Sequence, residues 1–131
     1  MATNFSTAVR TAIVGALVTQ AGASAKLKFY SGTRVAGVAA VGAGTTLNGT
    51  VVLGASIGTT GAGAIDWDEA SATQTNTSHV SGTPTFVDLT TSADTVLFRT
   101  DLGAGSWTFT GSIAAGQNIT LSSLVTTAGN A

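Results

Sequence analysis

The hydrophobic period of this chain changes once, between Ala25 and Lys26, and the change divides it into a helical lead and a β body. Before that point Phe5, Val9, Ile13 and Leu17 recur every four residues, with Ala8, Ala12 and Ala16 beside them. A spacing of four puts these side chains on one stripe of a helix. Thr3 or Asn4 suits the N-cap, and Gly22 follows the last periodic residue, where a left-handed cap sits. A helix is therefore expected over about 4–21, docked through Phe5, Val9, Ile13 and Leu17. Its polar side (Ser6, Thr7, Arg10, Thr11) is thin, and an isolated helix of this length is marginal in water, so it has to pack on something.

After Ala25 the period is two. Lys26-Leu27-Lys28-Phe29-Tyr30 alternates, with Leu27 and Phe29 toward a core and the lysines outward, and Ser31-Gly32-Thr33 is a turn signal. Thr50-Val51-Val52-Leu53 is a short apolar run between glycines. In Ala64-Ile65-Asp66-Trp67-Asp68, Ile65 and Trp67 share a face. Segments 85–89, 95–99, 106–110 and 118–121 complete a set of about seven or eight short strands separated by Gly- and Thr-rich turns. The expected fold is mainly β: an antiparallel β-sandwich, jelly-roll-like, over about 25–126, with one N-terminal amphipathic α-helix, in a single domain spanning 1–131.

Composition narrows the function. Only 8% of the residues are charged, the net charge is −1, and Ala, Gly, Ser and Thr supply 75 of the 131 residues. A soluble domain carries about a quarter charged residues, because its surface must sit in water. An uncharged surface on a chain that is 44% hydrophobic is one that faces other protein. Five scattered basic residues make no patch for a phosphate backbone, which argues against nucleic-acid binding. No apolar run reaches the length of a membrane span. Arg10, the apolar stretch 11–18 and the small residues up to Ala25 have the outline of a secretory signal, but the charged region is one Arg and Gly15 interrupts the apolar one. The docked helix is the simpler reading. With no Cys, disulfides, thiolate metal sites and Cys nucleophiles are all excluded.

Individual candidates for chemistry are few. His79 is the only histidine, sits in a Ser/Thr stretch and has no Gly-x-Ser-x-Gly elbow to serve, so it reads as a surface residue. Asp66, Asp68 and Glu69 lack the spacing of a calcium loop and read as a solvated strand edge that discourages edge pairing. Gly42-Ala43-Gly44 and Gly61-Ala62-Gly63 lack the remainder of a phosphate-binding loop. The Asn-x-Ser/Thr triplets at Asn4, Asn48, Asn76 and Asn118 are what so Thr-rich a chain produces by chance. Trp67 and Trp107 belong to the core. No catalytic residue, cofactor site or metal site is expected.

Two stretches do not read as strands. Residues 70–84 are Ser/Thr-rich and hold the only Pro. Residues 34–46 (RVAGVAAVGAGTT) are apolar, with Arg34 the one charge. An exposed loop of that kind is an apolar patch that soluble monomers avoid. Arg34, Val35, Val38 and Val41 are therefore expected at a protein–protein interface, on an arm that is mobile until a partner orders it.

Taken end to end, the chain resembles small structural proteins of tailed bacteriophages, of the capsid cement or decoration type. The likeness lies in the TAVRTAIV stretch of the helix, LKFYSGT closing the first strand, TVVLG, the pair FVDLTTSADTVLFRTDLG, and the closing GQNITLSSLVTT. Residues 34–46 depart from the family, whose members tend to have a more polar, Pro-containing turn there. The resemblance implies a non-enzymatic virion protein on the capsid surface, made in the host cytoplasm. It would bind the major capsid protein and self-associate as a dimer or trimer, with no nucleic-acid or membrane partner. A tail or baseplate component, and from another class a secreted adhesin or pilin-like subunit, are the alternative readings.

Overall fold

The computed structural model describes residues 4–68, 72–74, 79–102, 113–119 and 125–127. The chain runs α1 (Thr7–Ala21), β1 (Lys26–Ser31), β2 (Thr46–Val52), β3 (Gly58–Gly61), β4 (Ala64–Trp67), β5 (Thr73–Gln74), β6 (Phe86–Thr90), β7 (Val96–Asp101) and β8 (Val125–Thr127). The strands form a five-stranded sheet in the order β5-β2-β1-β6-β7 and a three-stranded sheet β3-β4-β8. Every pairing between named strands is antiparallel. The protein is mainly β, with antiparallel sheets and one helix at the N-terminus.

The alternation of β1 sets the two faces of the larger sheet. Leu27 and Phe29 are buried on its core face, beside Val51 of β2 and Val87 and Leu89 of β6. The same core cluster takes in Ile65 and Trp67 of β4 and Val14 and Ala21 of α1. Trp67 meets Phe98 of β7 edge-to-face, with ring centroids 6.4 Å apart, a favourable aromatic geometry. The smaller sheet turns between β3 and β4 through Ala62 (φ 51°) and Gly63 (φ 79°), a two-residue hairpin with both central residues left-handed.

Helix α1 corrects the expected docking stripe. Its N-cap is Ser6, whose Oγ accepts from the Val9 N–H, and Phe5 lies before the first turn. The helix packs on β3, β4 and β7, burying Val14 and Ala21, with Leu17 and Val18 partly buried against the core. The Gly63 N–H donates to Thr11 Oγ1 (2.8 Å), fixing the helix to the β3–β4 turn. Phe5, Val9 and Ile13 are 42%, 44% and 46% exposed, so of the expected stripe only Leu17 lies at the docked side. Residues at 10, 14, 18 and 21 share the inward direction, 9, 12 and 16 lie nearly opposite, and 13 lies on the flank. The helix is apolar on both sides, so the period of four alone could not tell which side docks.

Other differences have local causes. β2 starts at Thr46, before the expected Thr50. β3 and β5 were not expected, because GTTG and Thr73-Gln74 have no apolar alternation. β8 lies at the end of the stretch GQNITLSSLVTT that the resemblance gives as the closing strand, beyond the 118–121 segment picked out by alternation. Asn118 and Ile119 are not in a strand. The expected strand at 106–110, Trp107 and Glu69 lie outside the described residues.

Candidate functional site: a strap over a polar sheet face

The face of the larger sheet away from the core carries Lys26, Lys28, Asp88, Arg99 and Asp101, five of the chain's eleven charged residues. Register places Thr50, Lys28, Asp88 and Arg99 in one cross-strand row over β2, β1, β6 and β7. Tyr30, Phe86 and Asp101 form the neighbouring row. Because β6 is internal and covered on both sides, Asp88 is as buried as Val87 and Leu89.

Arg99 is the centre of this face. Its guanidinium grips Asp88 with two bonds, Nε to Oδ1 at 2.6 Å and Nη2 to Oδ2 at 2.7 Å, and both side chains are essentially inaccessible. Nη1 donates to the Ala39 carbonyl (2.8 Å) and, more weakly, to that of Val35 (3.4 Å). The cation lies 5.4 Å from the centre of the Phe86 ring, which stacks on Tyr30 at 5.1 Å. A planar fork with five donors suits this task, since one ammonium could not serve a carboxylate and two backbone carbonyls in these directions. The hydrogen bonds that Arg99 donates to Asp88 hold its pKa above its ordinary value against the opposing effect of burial. Burial, with the Asp88 charge second, raises that of Tyr30.

What Arg99 holds is the loop expected to be a free arm. β1 and β2 are neighbours, yet residues 32–45 between them swing out over β6 to β7 before returning. Arg34 reaches Asp101 at the far edge (2.7 Å). The neck is narrow: Gly32 (φ 110°) approaches the Gly44 carbonyl so closely that a Cβ there would sit 2.9 Å from it. Thr85 ties the neck down by donating through Oγ1 to the Gly32 carbonyl (2.7 Å). Within the loop, the Thr45 hydroxyl and N–H both donate to the Gly42 carbonyl, and Val35 lies beside Gly42. The segment is thus an Ω-like strap with close ends, held against its own sheet by these bonds. Of the four residues expected at the interface, Arg34 is ion-paired within the chain, Val35 and Val41 are partly buried, and Val38 is 51% exposed.

At the start of the sheet, Asp94 occupies a left-handed position (φ 68°) in the β6–β7 turn and receives both Lys26 (3.0 Å) and Lys28 (2.7 Å). Lys28 and then Lys26, by hydrogen bonding, lower its pKa.

A second buried polar group lies at a bulge in β2. Phe29 pairs with Gly49 and Tyr30 with Leu47, leaving Asn48 as the extra residue. Asn48 is fully buried. Its carbonyl accepts from the Val80 N–H and its Nδ2 donates to the Val80 carbonyl, while Oδ1 has no partner among the described residues. His79 packs over Gly49 and is 3% exposed, so it is a buried residue and not a surface one. Its Nδ1 donates to the Gln117 carbonyl at 2.8 Å, and Nε2 is buried with no hydrogen-bond partner among the described residues. No local pattern signals this, since the ring packs over Gly49, with Ile119 at the same spot, and both are distant in the chain from the Ser/Thr stretch around His79.

A cleft of about 280 Å³ opens between Ser56, Gly58 and Thr59 on one side and Asp66, Trp67 and Asp68 on the other. Asp66 is exposed and Asp68 partly so, but β4 is the middle strand of its sheet, so these carboxylates do not guard an edge as expected. Ser56 Oγ is already bonded to the Gly58 backbone. Among the described residues, no group of three His, Cys, Asp or Glu side chains is placed to hold a metal ion. No described helix is long and apolar enough to cross a membrane.

Comparison with protein-family models, with curated proteins and with solved structures finds no match.

Proposed function

We propose that this protein is a non-enzymatic virion structural protein, a cement protein that attaches to the outside of a phage head and bridges neighbouring major capsid subunits. In this reading the two sheets face each other as a jelly-roll-like β-sandwich. The observation that carries it is the strap. A Val/Ala/Gly segment is held over a polar sheet face by partly buried hydrogen bonds from Arg99, with Val38 at its exposed tip. A fixed apolar projection on a chain with few charges suits a contact made by shape and burial. The outward side of α1, where Val9 and Ile13 are exposed, adds apolar surface of the same kind. A protein that binds only the assembled shell stabilises it by mass action, by RT ln(1 + [L]/Kd) per site.

The test is sedimentation of the purified protein with purified heads and, separately, purified tails of its own virus. Saturable binding to heads supports the cement reading. Binding to tails alone replaces it with the tail reading, and binding to neither overturns both.

A further inference from the structure

We infer that Arg99 is a positioning residue, which sets the 32–45 strap in its binding shape before any partner arrives. The inference rests on the proposed reading of the strap as a contact element, and three features of the structure carry it.

The first is the division of labour within one side chain. Two nitrogens of the guanidinium are occupied by Asp88, and the third reaches the Ala39 and Val35 carbonyls. Asp88 sits on an internal strand and Phe86 backs the cation, so the fork is fixed from below. Ala39 adjoins Val38, so the strongest strap contact falls next to the exposed tip. The second is that strap and core touch through hydrogen bonds to strap backbone, which constrain path more than side-chain identity. The third is the anchoring of the loop's first residues at two further points, Gly32 by Thr85 at the neck and Arg34 by Asp101 at the sheet edge. A loop pinned at neck, edge and tip has little conformational freedom left to lose on binding, which is what preorganisation supplies.

The experiment separates this role from plain stability. The double variant Asp88→Leu/Arg99→Met replaces a buried ion pair by apolar side chains, a change that often leaves stability unaltered or raised, while deleting both donors to the strap. Backbone order parameters from ¹⁵N relaxation are read for residues 35–41 in the free protein, alongside melting temperature and head binding. Wild type is expected near the rigid value of about 0.85, and the variant below about 0.6. Its melting temperature is expected to hold while head affinity falls by about tenfold or more. Arg99→Lys, which keeps a charge opposite Asp88 but loses the fork, serves if the double variant fails to fold, and it is expected to loosen the strap too.

A wild-type strap already mobile, or one as rigid in these variants as before, overturns the inference whatever binds to heads. A strap that loosens with no change in head affinity also overturns it as a statement about binding. Val38→Asp tests the underlying reading separately: unchanged head binding by a variant whose strap is still rigid defeats the contact role and leaves the positioning of the loop intact.

Discussion

The two buried polar sites of this protein are built in opposite ways. At Asp88 and Arg99 both carboxylate oxygens are bonded, and the cation reaches on to two backbone carbonyls. At Asn48 and His79, among the described residues, each side chain makes one bond and keeps one buried polar atom without a partner. The first lies where Asp88 and Arg99 are register partners on β6 and β7, which brings the two side chains face to face. The second lies at a bulge, where an extra residue turns a side chain out of the ladder. The difference lies in what removal does. Taking one partner from a saturated charged pair strands a charge, whereas taking a half-satisfied neutral group removes a liability along with its bond.

The largest expected effect follows from that contrast. Arg99→Ala leaves Asp88 buried and uncompensated and should destabilise the fold by about 3–5 kcal/mol in denaturant unfolding. A loss below about 1 kcal/mol would mean that water reaches the pair and that it is not the buried clamp described. Next comes Gly49→Ala, whose Cβ would lie 2.7 Å from Ile119 Cδ1 and 3.1 Å from His79 Cδ2. Overpacking of this kind costs about 1–3 kcal/mol, and a neutral result would show that the His79 side of the bulge is loosely packed.

His79→Leu is expected to change stability by no more than about 1 kcal/mol, because it trades one hydrogen bond for the removal of an orphaned acceptor. The Gln117 residue that loses the bond is itself exposed, so its carbonyl can turn to water. A large loss here would erase the contrast between the two sites.

The smallest effect is on pH. The Asp94 pKa lies below its ordinary value in the folded protein, so its contribution is present above the unfolded carboxylate range and is lost as pH falls through the folded value. Asp94 is half exposed, so added salt should flatten this dependence. Asp94→Asn should remove it, as followed by melting temperature between neutral and acidic pH.

Much of the β body was legible in the sequence, and the reasons are local. Alternation in KLKFY and AIDWD reports which residues face the core, whatever the rest of the chain does. The same logic failed where neighbours in sequence are not neighbours in space. A four-residue period locates α1 but cannot choose between two apolar sides, and the choice was made by the β3–β4 turn meeting Thr11. The strap read as free because its anchors, Arg99 and Asp101, are about half the chain away. A faint signal did exist: Asp88 and Arg99 are opposite charges placed nearly symmetrically about the 91–95 turn, each in the middle of an apolar strand. A hairpin there puts them side by side. Nothing comparable marked His79, whose burial depends on a bulge in another strand.

The central claim is that attachment is made by an apolar strap tip held in place from below. Its most direct measurement is the amount of protein bound to purified heads, for wild type and Val38→Asp, at low and at moderately high salt. Wild type should stay bound at both, because few charges give electrostatics little part in the contact, and Val38→Asp should lose most binding at both while melting like wild type. Equal binding by the two proteins, or release of wild type by salt, would contradict the account.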